Sequence, residues 1–310
     1  MAYFKGFGFK DSGMKTLLLG KDGQLGWQLQ RSLAPLGELL ACGRAECDVL
    51  DASRLRSLIR EFRPDVIVNA TAYTAVDKAE AESSLAYAVN AEAPGVMATE
   101  AASLGAQLIH YSTDYVFDGA KSSPYIETDP TSPQSVYGQS KLAGEQAIMA
   151  ANCRSLIFRT SWVFGEHGGN FVKTILRLAR ERETLNVVSD QVGSPTPAAL
   201  ISSVTALVLH RMAHDRGAAT EGGRIYHLAA AGAVSWCDFA QEIVAQAAKL
   251  PGSSLRLTPD AIRPIASADY PTAARRPANS RLGCARLEAD FALKMPPWQP
   301  YLARMLGLLG

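Results

Sequence analysis

The sequence predicts an α/β fold in which a doubly wound parallel sheet is followed by a smaller C-terminal α/β lobe. From residue 14 onward, short apolar runs alternate with segments of helical period. The apolar runs are continuous, as is typical of strands that are buried on both faces. The repeated order of strand, helix and strand implies parallel strands that are joined by right-handed crossovers.

The predicted elements follow one another closely through the first half of the chain. The first helix shows the pattern clearly, because Leu25, Leu29 and Leu33 recur at every fourth position. Pro64 ends the second helix. The strands are predicted at residues 15–19, 38–42, 65–70, 107–112 and 155–160, and the helices at residues 24–33, 53–62, 84–104 and 136–150.

Composition and charge exclude several classes of function. The 310 residues carry 31 basic and 30 acidic side chains, so we expect no nucleic-acid partner. No apolar run approaches the ~20 residues that a membrane helix needs. The five cysteines are scattered, which favours a reduced cytoplasmic protein without a metal site. Residues 1–13 show no periodicity, and we interpret them as a leader or an appended remnant.

A glycine-rich turn joins the first predicted strand to the first predicted helix. Gly20, Gly23 and Gly26 are spaced G-x-x-G-x-x-G, and glycines allow a backbone to approach a pyrophosphate at a helix N-terminus. This position is the context that a dinucleotide-binding motif requires. We therefore predict a Rossmann-like dinucleotide-binding domain over residues 14–165, with a return segment near residues 190–215. Residues 166–310 are predicted to form most of a substrate-binding lobe.

The residues after the second predicted strand indicate the coenzyme. An acidic residue there would bind the ribose 2′-hydroxyl of NADH, whereas an arginine accommodates the 2′-phosphate of NADPH. Because the chain has Arg44 at this place, we predict NADPH and leave NADH open as a second coenzyme. Asp48 and Val49 are predicted to lie beside the adenine, although Asp48 could instead be a simple turn residue.

Two further stretches supply a proton donor and its neighbours. Tyr137 and Lys141 stand at i and i+4 in a predicted helix, which places the phenol and the ammonium on one face. A nearby cation favours phenolate, so we expect Lys141 to lower the pKa of Tyr137. Thr113 follows a predicted strand, and we expect its hydroxyl at the same sheet edge, where it would bind the same substrate oxygen.

These motifs resemble the extended short-chain dehydrogenase/reductases and, more closely, the dTDP-4-dehydrorhamnose reductases within that superfamily. The resemblance runs from Met14 almost to the C-terminus, and its main segments are GKDGQLGW from Gly20, PDVIVNATAYTAVDKAE from Pro64, HYSTDYVF from His110 and LIFRTSWV from Leu156. It implies an NADPH-dependent reduction of the C4 ketone of dTDP-4-dehydro-L-rhamnose to dTDP-L-rhamnose. That is the final step of dTDP-rhamnose biosynthesis, which serves lipopolysaccharide O-antigen.

The resemblance also implies roles for individual residues. Tyr137 is the proton donor, Thr113 tunes it, and Tyr137 and Lys141 contact the nicotinamide ribose. The implied coenzyme contacts are Gly23, Gln24 and Leu25 at the pyrophosphate, Asp48 and Val49 at the adenine, and Ala72, Tyr73, Thr74 and Tyr111 at the middle of the molecule. The implied sugar contacts are Thr113, Asp114 and Trp162.

Four of the substrate contacts have simpler alternatives. Trp162 follows a buried strand and could belong to the core, and Asp114 could cap a turn. Arg276 is predicted to bind the nucleotide diphosphate, because a guanidinium fork suits phosphate, but it could also be a solvated surface residue. Asn170, after two glycines, is equally open between a nucleotide contact and a loop residue.

Two other functions remain open at this stage. A non-catalytic NADP-binding regulatory subunit would not need the complete set of Thr113, Tyr137 and Lys141. Another nucleotide-sugar epimerase or dehydratase is the second alternative, but a dehydratase carries an Asp-Glu pair after the threonine. Here the pair is Asp114 and Tyr115, which leaves elimination without its base.

The expected oligomer is a monomer or a weak homodimer. Some relatives carry glutamates that bridge a dimer through magnesium. Gln28 stands at one of those positions, and residues 193–200 contain no acidic side chain, so we expect no metal-bridged dimer.

Overall fold

The computed structural model describes residues 13–214 and 222–309. Residues 1–12, nearly all of the segment interpreted as a leader, lie outside the described residues. The strands are β1 (Thr16–Leu19), β2 (Leu39–Cys42), β3 (Val66–Asn69), β4 (Gln107–Thr113), β5 (Arg154–Thr160), β6 (Val163–Phe164), β7 (Leu185–Val188), β8 (Val192–Gly193), β9 (Thr196–Pro197), β10 (Gly223–His227), β11 (Val234–Ser235), β12 (Ile262–Ile265) and β13 (Asn279–Ser280).

The α-helices alternate with the first five strands and continue through the second half of the chain. They are α1 (Gln24–Leu33), α2 (Ala52–Phe62), α3 (Val76–Ala79), α4 (Ser83–Tyr87), α5 (Ala93–Leu104), α6 (Val136–Ala150), α7 (Phe171–Glu181), α8 (Ala198–His214), α9 (Trp236–Ala247), α10 (Ala285–Asp290) and α11 (Gln299–Leu309). Most boundaries lie within one or two residues of the predicted ones, the usual uncertainty at helix and strand ends.

Six parallel strands form the central sheet in the order β2-β1-β3-β4-β5-β10. The chain passes from β1 to β2 on one side and returns to β3 on the other side. The switch point therefore lies between the carboxyl ends of β1 and β3, where Leu19 is opposite Asn69. Ligands of such sheets bind in the crevice outside this edge.

Apolar layers cover both faces of the sheet. Side chains alternate along β1, so Leu18 joins the cluster that contains α1 and α8, whereas Leu17 and Leu19 join the cluster under α2 and α5. Burial on both faces explains why the strands are continuous apolar runs. The predicted α/β fold with a doubly wound parallel sheet is confirmed.

The C-terminal half contributes a strand to the central sheet that was not predicted from the sequence. β10 lies within the range assigned to the substrate lobe, yet it forms the sixth strand beside β5. Its sequence, GRIYH, has no apolar run, because it is an edge strand whose first residues are only partly buried or exposed. The remaining short strands form small sheets in the lobe, and one hydrophobic cluster extends from the central sheet into α7, α9 and α11.

The helix predicted at residues 84–104 is interrupted. A π-helical turn, Ala88–Glu92, separates α4 from α5, and Pro94 stands in the first turn of α5. A π-turn accommodates one extra residue and occurs frequently at functional sites. This turn places Asn90 in the interior, where the side chain is fully buried.

Candidate active site

The glycine turn after β1 forms an open cradle at the switch point. Gly20 has a φ of +88°, and a Cβ atom there would lie 2.8 Å from the carbonyl carbon of Ala70. A Cβ atom on Gly26 would lie 1.9 Å from the carbonyl oxygen of Gly20, so both positions require glycine. At Gly23 the nearest atom would be 3.5 Å away, and no side chain caps the N-terminus of α1. Free N–H groups at an open helix end fit a pyrophosphate.

Arg44 lies at the surface beyond the end of β2. Its side chain is 75% exposed, and its Nε lies 3.5 Å from the carboxylate of Asp48. Val49 packs against the apolar layer under α2. The guanidinium is therefore accessible at the carboxyl edge of the sheet, and its one ion pair among the described residues is exposed and so is a weak interaction.

A buried asparagine holds the segment after β3, where the resemblance places the middle of the coenzyme. Asn90 accepts a hydrogen bond from the Tyr73 N–H (2.8 Å) and donates one to the Tyr73 carbonyl (3.0 Å). It also donates to the hydroxyl of Ser140 in α6 (3.0 Å). Asn90 thus ties residues 72–74 to the helix that carries Tyr137. Asn90 was not among the predicted site residues, and no local pattern marks it, because its partners lie 17 and 50 residues away along the chain.

Thr113, Asp114 and Tyr137 meet at the carboxyl edge of β4. Ser135 caps α6, so Tyr137 lies in the first turn of that helix. The hydroxyl of Thr113 lies beside the phenol of Tyr137, close enough to lower its pKa. Thr113 donates to the Asp114 carboxylate (3.0 Å), and the ring of Tyr115 packs edge-on against Tyr137 at 5.4 Å. The structure therefore brings together the hydroxyl and the phenol that the sequence placed at one edge.

The pKa of Tyr137 moves in the direction opposite to the prediction. Burial raises the pKa of Tyr137 to about 12, although the contact with Thr113 lowers it. The ammonium of Lys141 donates instead to the Tyr111 carbonyl (2.6 Å). The i, i+4 spacing aligns the two residues on one face of α6, but the long lysine side chain extends to β4 and not to the phenol. The expectation that Lys141 lowers the pKa of Tyr137 is wrong for this arrangement.

Burial also affects the two other ionisable groups of the site. It lowers the pKa of Lys141 to about 8, while the negative charge of Glu145 raises it. It raises the pKa of Asp114 to about 6, against the side chains of Ser280 and Thr113, which lower it. One oxygen of Asp114, Oδ2, is buried without a hydrogen-bond partner among the described residues. Ionisable groups with such shifts are typical of functional sites.

The side chain of Tyr111 is turned away from the side of β4 that carries His110. Its hydroxyl forms a 2.9 Å hydrogen bond with Thr205 in α8, on the face of the sheet opposite to His110. Alternation along β4 explains the difference, because neighbouring side chains in a strand point to opposite faces. Tyr111 therefore contributes its backbone carbonyl to the site, through Lys141, and its contact with the coenzyme stays a prediction.

Trp162 lies after β5 in an unusual backbone conformation. Its φ is +46°, a region that bulky residues rarely adopt and that is often associated with functional sites. The indole stacks on Trp236 with ring centroids 3.4 Å apart. A Cβ atom on Gly193 would lie 2.4 Å from the same indole, so glycine is required there. Trp162 is thus partly a packing residue, which was its simpler alternative.

A cavity of about 1240 Å³ lies in the C-terminal lobe between α7 and residues 265–276. Phe171 and Trp236 supply aromatic walls, and Arg182, Arg275 and Arg276 supply positive charge. Arg276 donates to Asp77 (2.8 Å), and its Nε is buried without a partner among the described residues. Apolar walls with a few charged groups are typical of small-molecule sites, and guanidinium groups suit phosphates.

Asn170 joins the substrate lobe to the glycine turn. The oxygen of its side-chain amide accepts a hydrogen bond from the Lys173 N–H and caps α7. Its amide donates to the side chain of Gln24 (2.9 Å) and to the Gly165 carbonyl (2.7 Å). Both N–H donors of Asn170 are engaged within the protein, which fits a loop-fixing role, and its contact with the nucleotide stays a prediction.

The open glycine cradle beside the Thr113–Tyr137 contact defines the class of protein, which is a dinucleotide-dependent oxidoreductase. The geometry matches what a carbonyl reductase needs, with a buried phenol, a hydroxyl and a lysine at the switch-point edge of a doubly wound sheet. The chain belongs to the family described as the RmlD substrate binding domain, whose profile matches residues 14–309. The family membership predicted from the sequence is confirmed.

Relatives with known names agree over nearly the whole chain. The dTDP-4-dehydrorhamnose reductase of Burkholderia thailandensis is 47% identical over 286 residues, which cover 92% of this chain and 96% of the relative. The enzyme of the same name from Escherichia coli K12 is 45% identical over 304 residues and covers 96% and 98%. The crystal structure of the Bacillus anthracis dTDP-4-dehydrorhamnose reductase in complex with NADP superimposes with a TM-score of 0.85, at 33% identity and 96% and 99% coverage.

Two general features of the described residues bear on partners. Over residues 13–214 and 222–309, no helix combines the length and apolarity needed to cross a bilayer. Within the same ranges, no cluster of three or more His, Cys, Asp or Glu side chains is arranged to hold a metal ion.

Proposed function

We propose that the protein reduces the C4 ketone of dTDP-4-dehydro-L-rhamnose to dTDP-L-rhamnose with NADPH. The observation that carries this proposal is the placement of the Thr113 hydroxyl and the buried Tyr137 phenol beside the open glycine cradle. The names of the relatives support the substrate, because the similarity includes both the cradle and the cavity of the lobe.

The coenzyme-binding residues follow the carboxyl edge of the sheet. The turn from Gly20 to Gly26, with Gln24 and Leu25 at the start of α1, holds the pyrophosphate. Arg44 is the accessible cation for the 2′-phosphate of NADPH, and Asp48 and Val49 lie beside it for the adenine. Ala72, Tyr73 and Thr74 line the middle, and Lys141 holds the nicotinamide ribose. Bound NADPH supplies the hydride that reduces the ketone.

Tyr137 supplies the proton. Because its pKa is raised to about 12, the phenol is protonated at neutral pH and can donate to the oxygen of the reduced carbonyl. The hydroxyl of Thr113, which donates to Asp114 in the resting site, stabilises the resulting phenolate when it turns its proton towards Tyr137. Tyr115 packs against Tyr137 at the position where a dehydratase would carry a glutamate, so the site favours reduction over elimination.

The cavity of the lobe receives the sugar nucleotide. Phe171 and Trp236 offer aromatic faces to the base, and Arg276 has a buried unpaired N–H for the diphosphate. Asp114 and Trp162 are the proposed sugar contacts. The unpaired oxygen of Asp114 can accept a hydrogen bond from a sugar hydroxyl.

Neither alternative function gains support from a specific observation. The chain carries the complete set of Thr113, Tyr137 and Lys141, which a non-catalytic regulatory subunit would not need. An epimerase or dehydratase would recycle bound NAD, whereas a reductase consumes NADPH in proportion to the product formed. We also propose that the protein works in the cytoplasm as a monomer or weak homodimer without a metal bridge. Light scattering with and without a chelator tests this, and a chelator-sensitive dimer contradicts it.

The test of function is a spectrophotometric assay of NADPH consumption with dTDP-4-dehydro-L-rhamnose. We expect one NADPH to be consumed for each molecule of dTDP-L-rhamnose, with the product identified by chromatography. Product formation without net NADPH consumption would support the epimerase or dehydratase alternative. Coenzyme binding without any turnover would support the regulatory alternative.

A further inference from the structure

Three buried polar side chains form a chain behind the active-site lysine. Asn69, His110 and Lys141 are each at most 1% exposed. The amide nitrogen of Asn69 lies 3.0 Å from Nδ1 of His110, and Nε2 of His110 lies 3.3 Å from Nζ of Lys141. The reaction proposed above uses Lys141 but assigns no role to His110 or Asn69. Since buried polar groups need partners, the direction of each hydrogen bond in this chain can be worked out.

Thr71 fixes the direction of the chain at its far end. The backbone N–H of Thr71 lies 3.0 Å from Oδ1 of Asn69, and a backbone N–H can only donate. The hydroxyl of Thr71 also donates to Oδ1, at 2.6 Å. The oxygen of the Asn69 amide is therefore turned towards Thr71, and its NH₂ group is turned towards His110. The NH₂ group can only donate, so Nδ1 of His110 must accept.

The tautomer of His110 follows from this constraint. A neutral imidazole whose Nδ1 accepts carries its proton on Nε2. Nε2 then presents an N–H to Lys141. An ammonium has three N–H groups and no lone pair, whereas an amine has a lone pair that can accept this N–H. With the opposite tautomer, the N–H on Nδ1 of His110 would face the NH₂ group of Asn69, so two donors would meet. Rotating the Asn69 amide by half a turn would remove that clash, but it would leave the N–H of Thr71 without an acceptor.

We propose that His110 is a positioning residue that favours the amine form of Lys141 over the ammonium by donating its Nε2–H to Nζ. In this arrangement Lys141 accepts from His110 and donates one N–H to the Tyr111 carbonyl, which lies 2.6 Å away. The second N–H is left for the coenzyme ribose. His110 itself stays neutral, because burial and then the charge of Lys141 hold its pKa well below the ordinary value.

The other charged groups around Lys141 do not replace this role. From α6, Glu145 favours the ammonium, but its carboxylate is bound by both nitrogens of a fork from Arg159 in β5, at 2.9 and 2.6 Å. Tyr137, the remaining ionisable neighbour on α6, is protonated at neutral pH. His110, from β4, is therefore the neighbour whose role as donor or acceptor decides whether the amine or the ammonium form of Lys141 is favoured.

The tautomer can be measured directly on the unmodified protein. Nitrogen-15 NMR of labelled histidine distinguishes an imidazole protonated at Nε2 from one protonated at Nδ1, and comparison with a His110→Phe spectrum assigns the signals. We expect the Nε2–H tautomer for His110 in the protein without coenzyme. An Nδ1–H tautomer, or a doubly protonated ring at neutral pH, overturns the proposal.

The second measurement is the titration of Lys141 itself, followed by carbon-13 NMR of lysine labelled at Cε. Phe keeps the ring shape of His110 but cannot donate, so His110→Phe should raise the midpoint of Lys141 by about one pH unit, the size of one ordinary hydrogen bond between neutral groups. If His110 instead accepted a hydrogen bond from the ammonium of Lys141, it would stabilise the ammonium. The same variant would then lower the midpoint of Lys141. An unchanged or lowered midpoint contradicts the proposal.

His227→Phe is the matched control. His227 is equally buried on the edge strand β10, which β5 separates from β4, and its Nδ1 lies against the Tyr125 carbonyl. We expect its replacement to leave the midpoint of Lys141 unchanged. We also expect His110→Phe to shift the pH profile of turnover, and this expectation rests on the proposed reduction. The two NMR measurements need no substrate and do not depend on it. A correct tautomer in a protein that fails to reduce the sugar would refute the proposed function and leave the role of His110 intact.

Discussion

Two buried cations lie close together in the structure, and they are held in opposite ways. Arg159 in β5 is 3% exposed and forms a two-pronged ion pair with Glu145 of α6. Lys141, one turn earlier in α6, is 1% exposed and has a carbonyl oxygen and an imidazole as its neighbours, without a carboxylate. Both cations are removed from water, but only Arg159 has its charge compensated by a direct contact.

The difference separates a structural charge from a functional one. A compensated pair such as Arg159 and Glu145 holds β5 against α6 in one geometry, and breaking it leaves a buried charge. An uncompensated lysine costs stability while it is protonated, and burial lowers its pKa to about 8. Groups of the second kind are concentrated at functional sites. Substitutions near Lys141 should therefore affect activity, whereas substitutions in the Arg159–Glu145 pair should affect stability.

The largest effect is expected from Tyr137→Phe, next to the uncompensated lysine. The variant removes the proton donor and should lower kcat about 10³-fold, within the range of general acid catalysis. Coenzyme affinity, measured by fluorescence titration with NADPH, should change little. The unfolding free energy should also change little, because the ring and its packing on Tyr115 remain. Full turnover in this variant would contradict the assignment of Tyr137.

Glu145→Gln should have the opposite profile. It leaves the guanidinium of Arg159 buried without a counter-charge, so the unfolding free energy in urea should fall by about 3–5 kcal/mol. The double variant of Glu145→Gln with Arg159→Met, which removes the stranded charge as well, should recover much of this loss. If the single variant were as stable as the unchanged protein, the pair would have no structural role and the comparison would fail.

Lys141→Met tests the other half of the comparison through pH. The folded protein releases the Lys141 proton near pH 8, whereas the unfolded chain keeps it to about pH 10.5. Below pH 8 the full cost of the buried ammonium is present. From pH 8 to 10.5 the unfolded state binds more protons, so the unfolding free energy of the unchanged protein should gain a contribution on the order of 3 kcal/mol as pH rises. Lys141→Met should lack this contribution, whereas a variant with the same pH dependence would show that Lys141 is not perturbed.

Much of the fold could be predicted because its signals are local. The apolar runs of β1, β3, β4 and β5 are buried on both faces, so hydrophobic continuity alone identifies them. β10 could not be identified in this way, since an edge strand is covered on fewer sides and needs no apolar run. The π-turn in the alanine-rich helix was also missed, because helical periodicity does not show where one extra residue enters a turn.

The site divides along a similar line. Spacing and position at strand ends predicted the meeting of Thr113 and Tyr137 and the glycine cradle, since both follow from the topology of a parallel sheet. The direction of the Tyr137 pKa shift was predicted wrongly, because burial decides it and the side chain of Lys141 extends elsewhere. Asn90 and His110 were missed, because hydrogen bonds between residues distant in sequence leave no local pattern.

The smallest effect is expected at the surface, from Arg44→Ala. If Arg44 contacts the 2′-phosphate, the variant should raise KM for NADPH about tenfold, the equivalent of about 1.4 kcal/mol, and leave KM for NADH unchanged. Arg177→Ala is the matched control, because Arg177 is also an exposed arginine in an i, i+4 ion pair, with Glu181. It should alter neither constant. An equal rise for both coenzymes would mean that Arg44 acts on something the two share and not on the 2′-phosphate. Its exposed ion pair with Asp48 would then be a surface contact that does not take part in coenzyme selection.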